Sequence, residues 1–394
     1  MRIAIFTESY CPIVNGVTRS VQTLVEGLRL RGHEAIVYAP GARGYTDSDL
    51  SVRRFPSYRW IGALDYPLAI PFSPRLFRDF AAQDFDLVHA QTPFALGVCG
   101  LALSRWHGIP LVATMHTLYI EYSHYIPLLP TRVAQGPLRA IVRWYYNQPA
   151  AVVVPSPSIQ DLIRDYGVNR PVDVVPTGVH MPERMDKEQA RRIFGLADSG
   201  HLLLYVGRIA REKNISVLLR TFALVRKEVP DARLLIVGGG PARAEAEVEA
   251  RVLGVREAIV FAGVRTHEDV AAACAAADLF LFPSTTDTQA VSVVEAMAVG
   301  TPPIVARAFG PADVVQDGLS GLVTSANPDS MSQAAIRLLQ NPAERERLGA
   351  GAMIRAKDYS ARSAVDAMIR VYETVCGVQA PPTESVHGSS GGRR

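Results

Sequence analysis

An arginine and a lysine five residues apart, Arg208 and Lys213 in VGRIAREKNISVLL (206–219), are the side chains of this sequence best suited to chemistry. A short apolar run leads into Gly207, and apolar residues at helical spacing begin just beyond Lys213. Two cations are thereby brought to a helix N-terminus, where free backbone N–H groups already favour anions. Arginine offers a planar fork to phosphate oxygens, and lysine a mobile point charge. A diphosphate leaving group would use both, because negative charge grows on it as its bond breaks. A solvated surface pair fits the same local sequence, so the rest of the chain has to decide.

Three other clusters bear on that decision. In FPSTTDTQAVSVVEAMAVGTPPIVA (282–306), a loop rich in hydroxyls and amides precedes a helical stretch, Val291–Val299. Asp287 lies before that helix and Glu295 two turns inside it. Backbone N–H groups around Thr288, Gln289 and Ala290 could face an anion or sugar hydroxyls. Asp287 as a simple helix N-cap is the competing reading. Glu295, in an apolar helix, needs a partner if it is buried. ESYCPIVNGVTRSV (8–21) places Gly16 at a helix entry, where the backbone can come close to a ligand. It is not the G-x-G-x-x-G dinucleotide fingerprint. TMHTLYIEYSHYIP (114–127) puts His116 at a strand end. Tyr119, Glu121, Tyr122, His124 and Tyr125 follow it, a density of polar aromatics that reads as a binding wall.

Each cluster follows a short apolar run, and the runs define the scaffold. RIAIF (2–6), a helix over Val17–Leu30 and EAIVYAP (34–40) form a β-loop-α-β unit. DLVHAQ (86–91), PLVATMH (110–116), AVVVPS (151–156) and VDVVPTG (172–178) continue the series. Residues 180–200 turn charged and polar, as a linker with a short helix. A second series then runs through 201–208, 233–240, 258–263, 278–284 and 302–307. The expected fold is α/β, with two Rossmann-like doubly wound lobes, 1–180 and 181–360, facing across a cleft. A helix over 361–376 would cross back to the first lobe, and 377–394 would be a disordered tail. Ligands of open α/β sheets bind beyond the carboxyl ends of the strands, where all four clusters fall.

Composition narrows the partners. Among 394 residues the net charge is only +3, which gives no basis for nucleic-acid binding. Cys11, Cys99, Cys274 and Cys376 are far apart, with no metal-ligand spacing, and read as reduced, buried thiols of a cytoplasmic protein. No signal peptide and no apolar run of about 18 residues is evident. From 53 to 150 there are nine arginines, no lysine and five acids, mixed with aromatic residues. Such a surface suits anionic headgroups, with snorkelling arginines on an ordinary soluble lobe as the alternative.

Together these clusters resemble retaining glycosyltransferase family 4, of two-lobed GT-B architecture, over about residues 1–376. NGV (15–17) looks like the family's N-terminal glycine loop, GRIAREKN (207–214) like its GR-x-x-x-EKN element, and DTQAVSVVEAMAVGTP (287–302) like its E-x7-E element. The resemblance implies that Arg208 and Lys213 hold a donor diphosphate. It implies that Asp287 meets the donor sugar's hydroxyls, that Thr288, Gln289 and Ala290 contact sugar and phosphate, and that Glu295 holds the ribose. His116 would lie over the sugar near the reacting carbon, and Val264, in FAGV, near the base. Asp287 departs from the family's usual Glu, keeping the charge on a shorter arm.

Segment 116–126 also resembles diacylglycerol glucosyltransferases, although Tyr119-Ile120-Glu121-Tyr122 stands where they commonly read Tyr-Glu-Asp-Tyr. The implied reaction moves glucose or mannose from UDP-glucose, GDP-mannose or a similar donor to a lipid such as diacylglycerol, at the inner face of the plasma membrane. Transfer would be same-face and retaining. No cofactor or metal is expected, since no D-x-D motif is placed to hold one and two fixed cations can replace it. A soluble or carrier-linked acceptor is one alternative; a non-catalytic nucleotide-sugar-binding protein is another.

Overall fold

The computed structural model describes residues 1–13, 15–59, 67–120, 131–183, 185–196 and 200–378. The first lobe contains β1 (Arg2–Phe6), β2 (Glu34–Pro40), β3 (Val52–Phe55), β4 (Ser57–Arg59), β5 (Pro67–Ala69), β6 (Leu87–Ala90), β7 (Leu111–Thr114), β8 (Ala151–Val154) and β9 (Val172–Val174). Seven of these form a parallel sheet in the order β3-β2-β1-β6-β7-β8-β9, while β4 and β5 pair as a small antiparallel ribbon. The second lobe contains β10 (Leu202–Val206), β11 (Arg233–Val237), β12 (Ile259–Gly263), β13 (Leu279–Phe282), β14 (Pro303–Ala306) and β15 (Leu322–Thr324), in the order β12-β11-β10-β13-β14-β15. Both orders reverse beside the first strand of the lobe, at β1/β6 and at β10/β13. Helices leave neighbouring strands in opposite directions there, which opens a crevice.

The central strands are largely apolar because helices cover both faces of each sheet. LLLYV in β10 and LVHA in β6 are buried along their whole length. β3 is not evident in the sequence. It is a sheet edge, half-buried and carrying Arg53 and Arg54, so it lacks the apolar run of its neighbours. The helix Gly16–Arg29 buries Val21, Leu24, Val25 and Leu28 at 3.6-residue spacing. Its N-cap is Asn15, whose side-chain oxygen accepts from the Thr18 amide at 2.9 Å.

The charged stretch after residue 180 is anchored to the second lobe. Lys187 and Arg191, on the helix Lys187–Ile193, pair with buried Asp278 at 2.5 and 2.8 Å. Burial opposes ionisation of Asp278, but these cations and the Leu202 amide hold its carboxyl below the usual range. The four cysteines are free; Cys99 and Cys274 are buried, whereas Cys11 and Cys376 are only half-buried, short of the expectation for all four.

The helix Ala361–Cys376 packs on the first lobe. Met368, Val371 and Tyr372 enter the core formed with Val21, Leu24 and Leu28. Arg31 pairs with Asp366 at 2.5 Å, and a Cβ at Gly27 would lie 2.4 Å from Val365 Cγ2. The small residue thus sets how closely the two helices approach. Gly27→Leu overpacks this seam and is expected to cost about 1–3 kcal/mol. That outweighs the roughly 1 kcal/mol gained by removing a mid-helix glycine. A lowered denaturant midpoint checks it.

Candidate functional site

The loops after β10 and β13 meet at the second lobe's switch point. Gly207 leaves β10 in an extended conformation with φ 159°, and the Arg208 carbonyl accepts from Tyr205 Oη at 3.0 Å. The Arg208 side chain is exposed. A Cβ at Gly238 would lie 2.0 Å from the Gly207 oxygen, and one at Gly240 2.3 Å from the Ile209 oxygen. The glycine run after β11 therefore lets a second backbone lie against the Arg208 loop. Asn214, at φ 54°, donates to the Pro283 carbonyl at 3.0 Å, and Thr286 to the Glu212 carbonyl at 3.2 Å. These bonds bring Lys213 Nζ to 2.7 Å from Asp287 Oδ1. Asp287 Oδ2 and Ser284 Oγ are buried with no hydrogen-bond partner among the described residues. A buried carboxylate oxygen without a donor is costly, and a ligand hydroxyl would satisfy it.

Asp287 is not the N-cap of the following helix, Val291–Ala298. Ala290 occupies that position in the left-handed region, φ 65° and ψ 74°, without a side-chain cap bond. The turn needed to pair Asp287 with Lys213 carries the chain three residues further before the helix starts. Its first N–H groups lack a side-chain cap, so the anion-attracting end stays open. Just over one turn in, buried Glu295 meets Arg19 Nη1 and His267 Nδ1, each at 3.4 Å. The hydrogen bond to Glu295 raises the His267 pKa. Arg19 comes from the first lobe and His267 from the helix after β12. Neither stands out in the sequence: Arg19 meets a partner 276 residues away and His267 one on another helix, and no local pattern marks either.

The same loop touches the first lobe. Thr288 Oγ1 donates to the His116 carbonyl at 2.9 Å. The Gln289 amide accepts from Thr177 N at 2.6 Å and donates to Thr177 O at 2.9 Å. These two side chains therefore join the lobes, and Gly310 packs against the backbone between them. His116 is half-buried, and its Nε2 lies 2.7 Å from Gln91 Oε1. Burial lowers its pKa to about 4, so the ring is neutral at neutral pH. Gly16 opens its helix with nothing within 4 Å of where a Cβ would stand. Tyr119 is buried, and Phe94 lies edge-on to it with ring centroids 5.1 Å apart. Glu121, Tyr122, His124 and Tyr125 lie outside the described residues, as does the 379–394 segment. Val264 is exposed beyond β12. Among the described residues, no group of three or more His, Cys, Asp or Glu could hold a metal ion. No helix among them is long and apolar enough to cross a membrane.

The family model described as "Glycosyltransferase Family 4" matches residues 14–181, and that described as "Glycosyl transferases group 1" matches 186–354. An alpha-monoglucosyldiacylglycerol synthase of Acholeplasma laidlawii is 31% identical, over 91% of this chain and 94% of its own. A GDP-mannose-dependent alpha-mannosyltransferase of Mycolicibacterium smegmatis is 32% identical, over 96% of this chain and 98% of its own. The solved structure of Anabaena HepE with UDP-glucose superposes with a TM-score of 0.74 at 19% identity, covering 95% of this chain and 100% of that one. That likeness bears on fold, and the fold is GT-B: two parallel-sheet lobes facing each other.

Removing Lys213 takes away the cation that faces Asp287 Oδ1. Lys213→Met is expected to destabilise the protein by about 1–3 kcal/mol. Adding Asp287→Asn should return at least half of that loss, because the unpaired charge is gone. Thermal unfolding of the two single variants and the double variant measures it.

Proposed function

The chain belongs to glycosyltransferase family 4, and from that premise we propose that it moves a hexose from a nucleoside diphosphate sugar to a lipid acceptor such as diacylglycerol, with retention and without a metal ion. The observation that carries the donor half is the Lys213–Asp287 pair with its second carboxylate oxygen unsatisfied. In this reading Lys213 turns its charge to the diphosphate when donor binds, joined by Arg208 and the uncapped N-terminus of Val291–Ala298. Asp287 takes sugar hydroxyls. Glu295, already facing Arg19 and His267, takes the ribose hydroxyls, and neutral His116 lies over the sugar.

The chemistry asked of the protein is positioning and stabilisation of a leaving diphosphate. Two side-chain cations and a helix end can do the work of a divalent ion, and the leaving phosphate can accept the acceptor's proton on the same face. The lipid acceptor is supported by the relative named for monoglucosyldiacylglycerol synthesis and by exposed apolar residues of the first lobe: Tyr58, Leu68, Ile70, Phe72 and Trp144. Arg53 and Arg54 contribute less than their sequence suggests, being paired with Asp79 and Asp47. The apolar side chains, then, would seat the protein on the cytoplasmic leaflet. The choice between a uridine and a guanosine donor stays open in this reading, since the HepE structure holds UDP-glucose and the mycobacterial relative is named for GDP-mannose.

A thermal-shift series with UDP, GDP and their glucose and mannose conjugates tests the donor site. The true donor at 100 times its dissociation constant should add about 2.7 kcal/mol of stability. Asp287→Ala should reduce the shift from the sugar nucleotide to that of the bare nucleotide; an unchanged sugar-dependent part would remove Asp287 from the site. Transfer to diacylglycerol in anionic vesicles should persist in excess chelator, and the protein should float with those vesicles. Loss of activity on chelation refutes the metal-free mechanism, and failure to float refutes the membrane reading.

A further inference from the structure

Behind His116 runs a chain of buried polar groups that reaches the helix Ala361–Cys376. Gln91 Oε1 lies 2.7 Å from His116 Nε2, and Gln91 Nε2 lies 3.1 Å from His89 Nδ1. The same His89 nitrogen is 2.6 Å from Tyr372 Oη, and His89 Nε2 is 2.7 Å from Thr114 Oγ1. His89, Gln91, Thr114 and Tyr372 are all buried, so each must find its partner inside the protein.

The bonding is directional. A carboxamide nitrogen only donates, so His89 Nδ1 is the acceptor and its proton sits on Nε2, facing Thr114. Burial lowers the His89 pKa to about 3, so the ring is neutral and carries one proton. With the Gln91 nitrogen committed to His89, its oxygen faces His116 and needs a donor. That donor is His116 Nε2–H. A neutral imidazole has one N–H, so Nδ1 of His116 is left bare, and it has no hydrogen-bond partner among the described residues.

We propose that Gln91, held by His89 and Tyr372, is a positioning residue that fixes His116 as its Nε2–H tautomer and so keeps Nδ1 as an acceptor for a hydroxyl of the donor sugar. The proposal rests on the reading of His116 as a donor-sugar residue. It also gives the returning C-terminal helix a part in the site, because Tyr372 supplies one of the two donors that hold His89 in place. The opposite polarity would require the amide turned over, with His116 protonated on Nδ1 and unable to accept there.

Nitrogen-15 NMR of the histidine-labelled full chain, without substrate, reads both rings directly. The expected result is an unprotonated Nδ1 and a protonated Nε2 on His89 and on His116. In Gln91→Leu the His116 ring should become a mixture of tautomers, with kcat down about tenfold or more and a smaller change in donor KM. In Gln91→Glu an acceptor still faces His116, so Nε2–H should persist and His116 should protonate at higher pH. An Nδ1–H tautomer in the native protein overturns the proposal. So does a Gln91→Leu protein with native tautomer and native kcat. Because the tautomer is read without donor or acceptor, a native chain that transfers no sugar would sink the proposed function and leave the NMR result to be judged by itself.

Discussion

The 2.7 Å ion pair between Lys213 and Asp287 exists only because β10 and β13 lie side by side where the strand order of the second sheet reverses. The two residues are 74 positions apart, yet each sits in the loop that leaves one of those strands. Bonds from Asn214 and Thr286 lace the loops together, and the pair closes the lacing. Much else at the cleft follows. Drawing Asp287 toward Lys213 delays the start of the next helix to Val291 and puts Ala290 in a left-handed turn. A left-handed conformation costs a non-glycine residue about 1–2 kcal/mol. The lacing, together with Gly310 packed against the backbone of Thr288 and Gln289, holds that turn in place.

The turn also connects the lobes. Thr288 reaches the His116 carbonyl, Gln289 grips both polar groups of Thr177, and Glu295 accepts from Arg19 of the first lobe. One loop therefore carries both the ion pair to Lys213 and the junction between the lobes. The returning helix Ala361–Cys376 closes the circuit from the other side, where Tyr372 meets His89 beneath His116. Buried polar chains of this kind specify a single arrangement when every member is satisfied.

Continuous apolar strands separated by amphipathic helices announce two parallel-sheet lobes, because a strand buried on both faces has no polar alternation to offer. β1, the helix from Gly16, β2 and the strands that carry the functional loops are of this kind and are legible from their residues alone. The edge strand β3 and the β4–β5 ribbon are not. β3 and the β4–β5 ribbon bury only some of their residues and carry arginine, so their pattern reads as amphipathic surface. The arginines of that stretch illustrate the same limit: composition shows a basic surplus, while the fold spends Arg53 and Arg54 on neighbouring aspartates.

By itself, the amino-acid sequence determined the lobes, the order of the motifs and which residue types stand in the loops and helices that follow the strands: Gly16, His116, Arg208, Lys213, Asp287 and Glu295. Those are properties of local pattern, and local pattern is where apolar periodicity and turn chemistry act. Tertiary structure alone decided who meets whom. It joined Lys213 to Asp287, brought Arg19 and His267 to Glu295, bonded the Gln289 side chain to Thr177, and set Gln91 between two histidines. The physical reason is that a side-chain contact is a few ångströms long and depends on strand order and lobe docking. Both are settled by burial summed over hundreds of residues, and neither leaves a mark on the few residues that finally touch.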